Sequence, residues 1–148
     1  MAGTRTGVTY AEGFEAAGVN CGFKQDRHDL ALVYTRAPAT AAGCFTTNTF
    51  TSYSLQVCRR NIGNPVHGVI VNSGNANTCN GPENLPRTRE VLDRLGERLG
   101  VPPRSLLIAS TGLIGIPFDH AKVIAAIPAL VAGLSVKNHE VAARAIMT

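Results

Sequence analysis

From Gly68 onward the chain alternates apolar runs, polar segments and amphipathic stretches, and this alternation limits the fold more than any other feature. Gly68-Val69-Ile70-Val71 is an unbroken β-branched run of the kind found in buried strands. A polar segment, Asn72 to Gly81, follows it. Beyond Pro82, a residue suited to opening a helix, Leu85, Val91, Leu92, Leu95 and Leu99 recur on one face at helical spacing. Gly100 and Pro102 close that helix. Leu106-Leu107-Ile108-Ala109 predicts a second short buried strand running into Ser110-Thr111-Gly112. From about Asp119 the pattern is helical again, with Pro128 expected to kink or end the helix. Asn138 is a suitable N-cap for a last helix through Ile146. Strand, loop, helix, strand, loop, helix predicts an α/β domain of layered sheet and helices. Whether the sheet is parallel is left open by this pattern.

The first third predicts short strands broken by turns: Asp29 to Tyr34, and the Thr- and Phe-rich stretch Gly43 to Phe50. Ser54 to Arg60 has the length of a short helix. At 148 residues the chain fits a single domain, residues 1–148, able to bury a core without staples. Aromatics are 5% of residues and Trp is absent, so the core must be mainly Val, Leu, Ile and Ala.

Several classes of function are disfavoured. The formal charge of +4 is scattered, with Arg59-Arg60 the longest basic run, whereas nucleic-acid binders gather such charge on one face. No nucleic-acid partner is expected. Cys21, Cys44, Cys58 and Cys79 are widely spaced and lack the pairing of a zinc site, so no metal is expected. Cys44 before Phe45 and Cys58 after Val57 suit small buried hydrophobes. Met1 to Phe14 has no apolar run of signal-peptide length. The longest apolar stretch, Val123 to Leu134, is too short to span a bilayer and carries Pro128. A cytoplasmic setting without membrane contact is expected.

Three polar segments follow apolar elements and could carry chemistry. In Asn72-Ser73-Gly74-Asn75-Ala76-Asn77-Thr78, small residues admit a ligand to the backbone, and Asn amides both donate and accept. In Ser110-Thr111-Gly112-Leu113-Ile114-Gly115, a Thr-Gly pair ending a strand can aim a hydroxyl and a backbone N–H together, as an oxyanion hole requires. The third is Ala145-Ile146-Met147-Thr148, where a Thr ends an apolar helix. Each, taken alone, is read more economically as turn or helix-end chemistry. His28, His67, His120 and His139 have no Ser or Asp companion at a recognised spacing and read as surface or loop histidines.

Taken together and in order, these segments resemble the ornithine acetyltransferase family, also called glutamate N-acetyltransferases. The resemblance runs over nearly the whole chain. It begins with Gly7-Val8-Thr9, Gly13-Phe14 and Ala16-Ala17-Gly18-Val19 and continues through Asp29 to Val33 and Pro38 to Asn48. Its most specific part is Val71-Asn72-Ser73-Gly74-Asn75-Ala76-Asn77, followed by Ala109 to Gly115 and Ala145 to Thr148.

The resemblance implies a precursor that cuts itself at an Ala-Thr bond, exposing an N-terminal Thr as nucleophile with its own amine as base. It implies acetyl transfer from N-acetylornithine to glutamate through an acetyl-enzyme, with acetyl-CoA a donor in some members, no bound cofactor, and a place in arginine biosynthesis. It also implies a second (beta) chain as partner and a heterotetramer of two alpha and two beta chains. By position, Thr111 and Gly112 match the family's oxyanion-hole pair, and Thr148 matches a substrate-binding Thr; Asn75 and Asn77 receive no role. The family's Lys-Gly-x-Gly stretch and its Ala-Thr bond have no counterpart in the sequence. The chain is therefore expected to be the alpha-chain part of a longer precursor, inactive alone. Two other readings stay open: an amide hydrolase of a related N-terminal-nucleophile fold, and a non-catalytic binding module.

Overall fold

The computed structural model describes residues 7–148. Four strands form one mixed sheet in chain order: β1 (Phe14–Val19), β2 (Leu30–Ala39), β3 (Val66–Asn75) and β4 (Leu106–Leu113). The β1–β2 and β2–β3 pairs are antiparallel, while β3 and β4 are parallel. A parallel pair needs a crossover. Here α2 (Asn84–Leu99) supplies it. The other helices are α1 (Tyr53–Asn61), α3 (His120–Ala132) and α4 (His139–Ala145). The α/β layered class expected from the sequence is the class observed.

Strand alternation divides the packing between two faces. Ala17, Leu30, Leu32, Ile70, Leu106 and Ile108 face one side, where they join Val57 of α1, Val91, Leu92 and Leu95 of α2, and Val123, Ile127 and Leu130 of α3 in the main core. Their neighbours Ala16 and Ala31 face the other side and meet Ala142 and Ala145 of α4. Small residues on both surfaces let this short helix lie close to the sheet.

The helix ends obey local chemistry. Ser52 caps α1 by accepting from the Leu55 N–H at 3.1 Å. Gly100 ends α2 in the left-handed conformation at φ 71°, which glycine adopts without strain. The apolar face predicted for α2 is the buried one, with Val91, Leu92 and Leu95 inside and Leu85 and Leu99 partly buried against them.

Several expectations differ from the structure in whole or in part. Gly43 to Phe50 forms no strand. Thr46 Oγ1 accepts from Asn48 N at 3.1 Å and Asn48 Oδ1 accepts from Phe50 N at 2.9 Å, so side chains take the N–H groups a ladder would need. Cys44, in this stretch, is exposed rather than buried. Of the two outcomes expected of Pro128, a kink or an end, the end does not occur: α3 continues to Ala132. Buried Val123, Ile127 and Leu130 flank the proline and offset its missing N–H. Asn138 is the N-cap residue of α4, as expected, but its side chain makes no capping hydrogen bond: its carbonyl accepts from Ala142 N at 3.0 Å and its Nδ2 donates to the Gly133 carbonyl at 2.8 Å. His67, finally, is neither a surface nor a loop residue: it lies half-buried in β3, its Nδ1 3.0 Å from the Thr35 carbonyl and its ring stacked on Tyr34.

No helix among the described residues is long and apolar enough to cross a membrane.

Candidate active site

The two polar segments expected to be turns are strand instead. Asn72 to Asn75 continue β3 and Ser110 to Leu113 continue β4, in parallel register: Ser73 beside Thr111, Gly74 beside Gly112, Asn75 beside Leu113. Ladder hydrogen bonds to a partner strand satisfy backbone groups that a sequence read locally assigns to a turn. The pair is unusually close at the glycines. Gly112 has φ +129°, and a Cβ built on it would lie 2.3 Å from the Gly74 carbonyl carbon and 2.6 Å from Asn75 N. Only glycine fits there.

Thr111 is exposed, and its hydroxyl makes no hydrogen bond among the described residues. Its neighbour across the ladder, Ser73, is fully buried. The Ser73 hydroxyl donates to the Ala145 carbonyl at 2.5 Å and accepts from Lys24 Nζ at 2.5 Å. Lys24 Nζ also donates to the Met147 carbonyl. Ser73 therefore links the strand pair carrying Thr111 to the segment carrying Thr148, and Lys24 spans the same junction.

Asp29 organises the loop that delivers Lys24. Its carboxylate is fully buried and accepts from the backbone N–H groups of Cys21 (2.6 Å), Phe23 (2.6 Å) and Lys24 (2.8 Å). Its own carbonyl accepts from Ser73 N at 2.8 Å, fixing the loop to β3. Charge-assisted bonds of this kind are about twice as strong as neutral ones. Burial raises the Cys21 thiol from an ordinary 9.0 to about 12, reinforced by Asp29 through a side-chain hydrogen bond and its charge. Lys24 is shifted the other way: partial burial, then the charge of Arg27, lower its pKa, and Asp29 opposes them.

Two cavities flank the Phe23–Lys24 segment. One, of about 570 Å³, opens at the ends of β3 and β4 between Phe23, Asn75, Leu113, Phe118 and His120. The other, of about 670 Å³, is lined by Lys24, Arg27, Arg144, Met147 and Thr148, with Asp26, His28 and Asn20. Thr148 is thus a cavity residue. Thr111 and Gly112 line neither cavity, and of the β3 segment Gly74 and Asn75 reach the first.

The asparagines spend their amides inside the protein. Asn72 Nδ2 donates to the Asn75 carbonyl at 2.8 Å, Asn75 Nδ2 to the Ala76 carbonyl at 3.1 Å, and Asn77 Nδ2 to Thr88 Oγ1 at 2.6 Å. They hold the backbone as it leaves β3. Among the described residues, no three His, Cys, Asp or Glu side chains gather where they could hold a metal ion.

Sequence reasoning missed Asp29, Lys24 and Ser73. One signal was available: an acid directly opening an apolar strand, just after a short loop containing glycine. Such an acid must find donors, and loop N–H groups are the nearest ones.

The sequence and the backbone are both similar to those of known proteins. Residues 15–148 match the ArgJ family. The arginine biosynthesis bifunctional protein ArgJ of Nitratidesulfovibrio vulgaris is 44% identical over 140 residues, covering 93% of this chain and 36% of that protein. Its counterpart in Parasynechococcus marenigrum is 37% identical over 146 residues, covering 96% and 36%. The chain therefore spans about a third of the length of these curated relatives. Among solved structures, the arginine biosynthesis bifunctional protein argJ of Bacillus halodurans superposes with a TM-score of 0.90 at 28% identity, over 97% of this chain and 76% of that one. Ornithine acetyltransferase of Mycobacterium tuberculosis, solved in complex with ornithine, gives a TM-score of 0.86 at 34% identity, over 97% and 80%. Sequence match and backbone agreement extend together from β1 to Thr148, and on both grounds the chain belongs to the ArgJ family.

Proposed function

We propose that residues 1–148 are the alpha-chain part of an acetyltransferase that moves acetyl from N-acetylornithine to glutamate, in a protein cut into two chains by its own chemistry. The nucleophile, a Thr at the start of the second chain, lies outside this sequence. As its hydroxyl proton passes to the Thr's own α-amine, the oxygen attacks the acetyl carbonyl, whose π electrons move onto oxygen. Collapse of that intermediate expels the ornithine amine, which takes up a proton, and leaves an acetyl ester on the Thr. The glutamate amine then attacks the ester, loses a proton and releases the Thr hydroxyl.

In this reading the Thr111 hydroxyl and the Gly112 N–H receive the oxyanion, and Thr148 holds substrate. The observation that carries the first role is the exposed Thr111 hydroxyl, without an internal partner, on a strand pinned by the Gly112–Gly74 approach. Preorganised donors of this kind are what a developing charge needs. The Thr148 role is supported by its position in a cavity beside Lys24. Ornithine in the complex of the related acetyltransferase supports the substrate class. The relatives' description as bifunctional supports a second reaction, for which we propose acetyl-CoA as donor to glutamate. Pairing of alpha and beta chains into a heterotetramer, and a cytoplasmic setting, complete the proposal. The four free thiols fit a reducing compartment.

Steady-state kinetics on the full-length protein test it. An oxyanion donor acts in the transition state, so Thr111→Ala is expected to lower kcat about 10²-fold or more with KM little changed. Thr148→Ala is expected chiefly to raise KM, because a contact made equally in both states is uniform binding. A rise in KM alone for Thr111→Ala would remove the oxyanion role. Amide hydrolysis without glutamate acetylation would replace the transferase by a hydrolase.

A further inference from the structure

We propose that the cavity between Lys24 and Thr148 is a carboxylate site, in which the Lys24 ammonium holds the α-carboxylate shared by both amino-acid substrates. The inference rests on the acetyl-transfer reading above. It specifies which substrate group this side of the site takes.

The charge at Lys24 is the starting point. An ammonium has three donors. Two are spent on neutral acceptors, the Ser73 hydroxyl and the Met147 carbonyl. Among the described residues, neither Lys24 nor Arg27 has a carboxylate within ion-pair distance. Asp29, at the end of the Lys24 loop, is occupied by three backbone N–H groups. Lys24 is thus a partly buried cation with no carboxylate in ion-pair contact and one donor left, beside a cavity of about 670 Å³. Partial burial of an unpaired charge is unfavourable, and an arriving anion removes the deficit.

The cavity wall agrees. Arg27 and Arg144 add positive charge, and Asp26 is its one carboxylate. Arg144 is also engaged, at 3.8 Å, with Glu140 on the exposed side of α4. Thr148 lines the same cavity, so a carboxylate held at Lys24 sits next to a residue already assigned to substrate. The anchor is also well placed to be rigid, since the Asp29 cradle fixes the loop backbone and Ser73 fixes the ammonium.

Donor and acceptor are both α-amino acids and pass through one acetyl-enzyme, so a single α-carboxylate anchor serves both half-reactions. Lys24→Met keeps the length and apolar stem while removing the charge. In the full-length protein it is expected to raise KM for N-acetylornithine and for glutamate by similar factors, about ten-fold or more, with kcat within about two-fold. Lys24→Arg is expected to recover part of the loss. The wild-type protein is expected to reject glutamate α-amide, and Lys24→Met to lose that discrimination. A merely structural lysine would instead lower thermal stability and kcat while leaving the acid–amide preference intact, and this result would overturn the proposal. Were Lys24→Met not to fold, the wild-type comparison decides: equal use of glutamate and its α-amide would overturn it.

Calorimetry separates this inference from the transferase reading. If no acetyl transfer is found but glutamate still binds and Lys24→Met or Lys24→Arg weakens it, the carboxylate site stands and the reaction does not. If transfer proceeds normally in Lys24→Met, the reaction stands and the site does not. Binding of inorganic phosphate in preference to glutamate would also overturn the carboxylate assignment.

Discussion

Cys21, Cys44, Cys58 and Cys79 differ in reactivity for reasons visible side chain by side chain. Cys44 and Cys79 are exposed, whereas Cys21 and Cys58 are half-buried with thiols pushed up by burial. Cys58 is further engaged with β4, donating to the Ile108 carbonyl at 3.0 Å and accepting from Ile108 N at 3.3 Å. The thiolate is the reactive form. Brief iodoacetamide treatment near neutral pH is therefore expected to label Cys44 and Cys79 first, as read by peptide mass spectrometry. Cys21 also predicts a pH effect. Its folded pKa of about 12 lies above the ordinary 9.0, so its protonated form contributes stability that is fully present below about pH 9. That contribution is lost as pH rises from 9 toward 12, and Cys21→Ala should flatten this limb of the denaturation profile. Residue roles were the least legible part of the sequence. Thr111, Gly112 and Thr148 lay in candidate segments, but only family likeness preferred a functional reading of them over turn or helix-end chemistry. The link between Lys24 and Ser73 did not stand out at all, because it joins positions 49 residues apart.

Among the elements, the parallel ladder of β3 and β4 makes the sharpest demand on sequence. Gly112→Ala would place a methyl against the Gly74 backbone at φ +129°, combining strain with a clash that no side-chain movement relieves. A loss of about 3 kcal/mol or more in urea unfolding is expected. Gly100 is the control: at φ +71° it is conformationally demanding, but nothing lies within 4 Å of a Cβ there. Gly100→Ala should cost only about 1 kcal/mol. The same ladder shows where element prediction stopped. Helix α2 was readable because its buried positions repeat at the helical period, and the cores of β3 and β4 because they are unbroken and apolar. Their polar ends were not readable, since nothing local to Asn72–Asn75 or Ser110–Leu113 announces a partner beyond an intervening helix.

The whole molecule is a sheet with unequal faces, three helices and a large aliphatic core on one, a single short helix and an alanine layer on the other. The two faces should respond oppositely to side-chain size. Leu95→Ala removes a fully buried side chain from the thick core and is expected to cost about 2–5 kcal/mol. Ala142→Leu inserts bulk into the thin layer and is expected to cost about 1–3 kcal/mol by lifting α4. Measured together with glutamate affinity, the second substitution should also disturb the Ser73–Ala145 link, whereas Leu95→Ala should leave it intact.

The α4 side is further closed by contacts between distant parts of the chain: Ser135 bridges to Ala16 along the open edge of β1, and the Thr9 hydroxyl donates to the Val136 carbonyl across 127 positions. During synthesis the ribosome delivers β1 long before its edge can be covered. Until residues near 135 emerge, the nascent sheet carries a bare strand that can pair with another chain. Such topology also places folding toward the slow end for domains of this size, because distant pairings must form before they stabilise anything. Yield in the cell should therefore depend on translation speed and on chaperones that shield β1, even for variants whose final stability is unchanged.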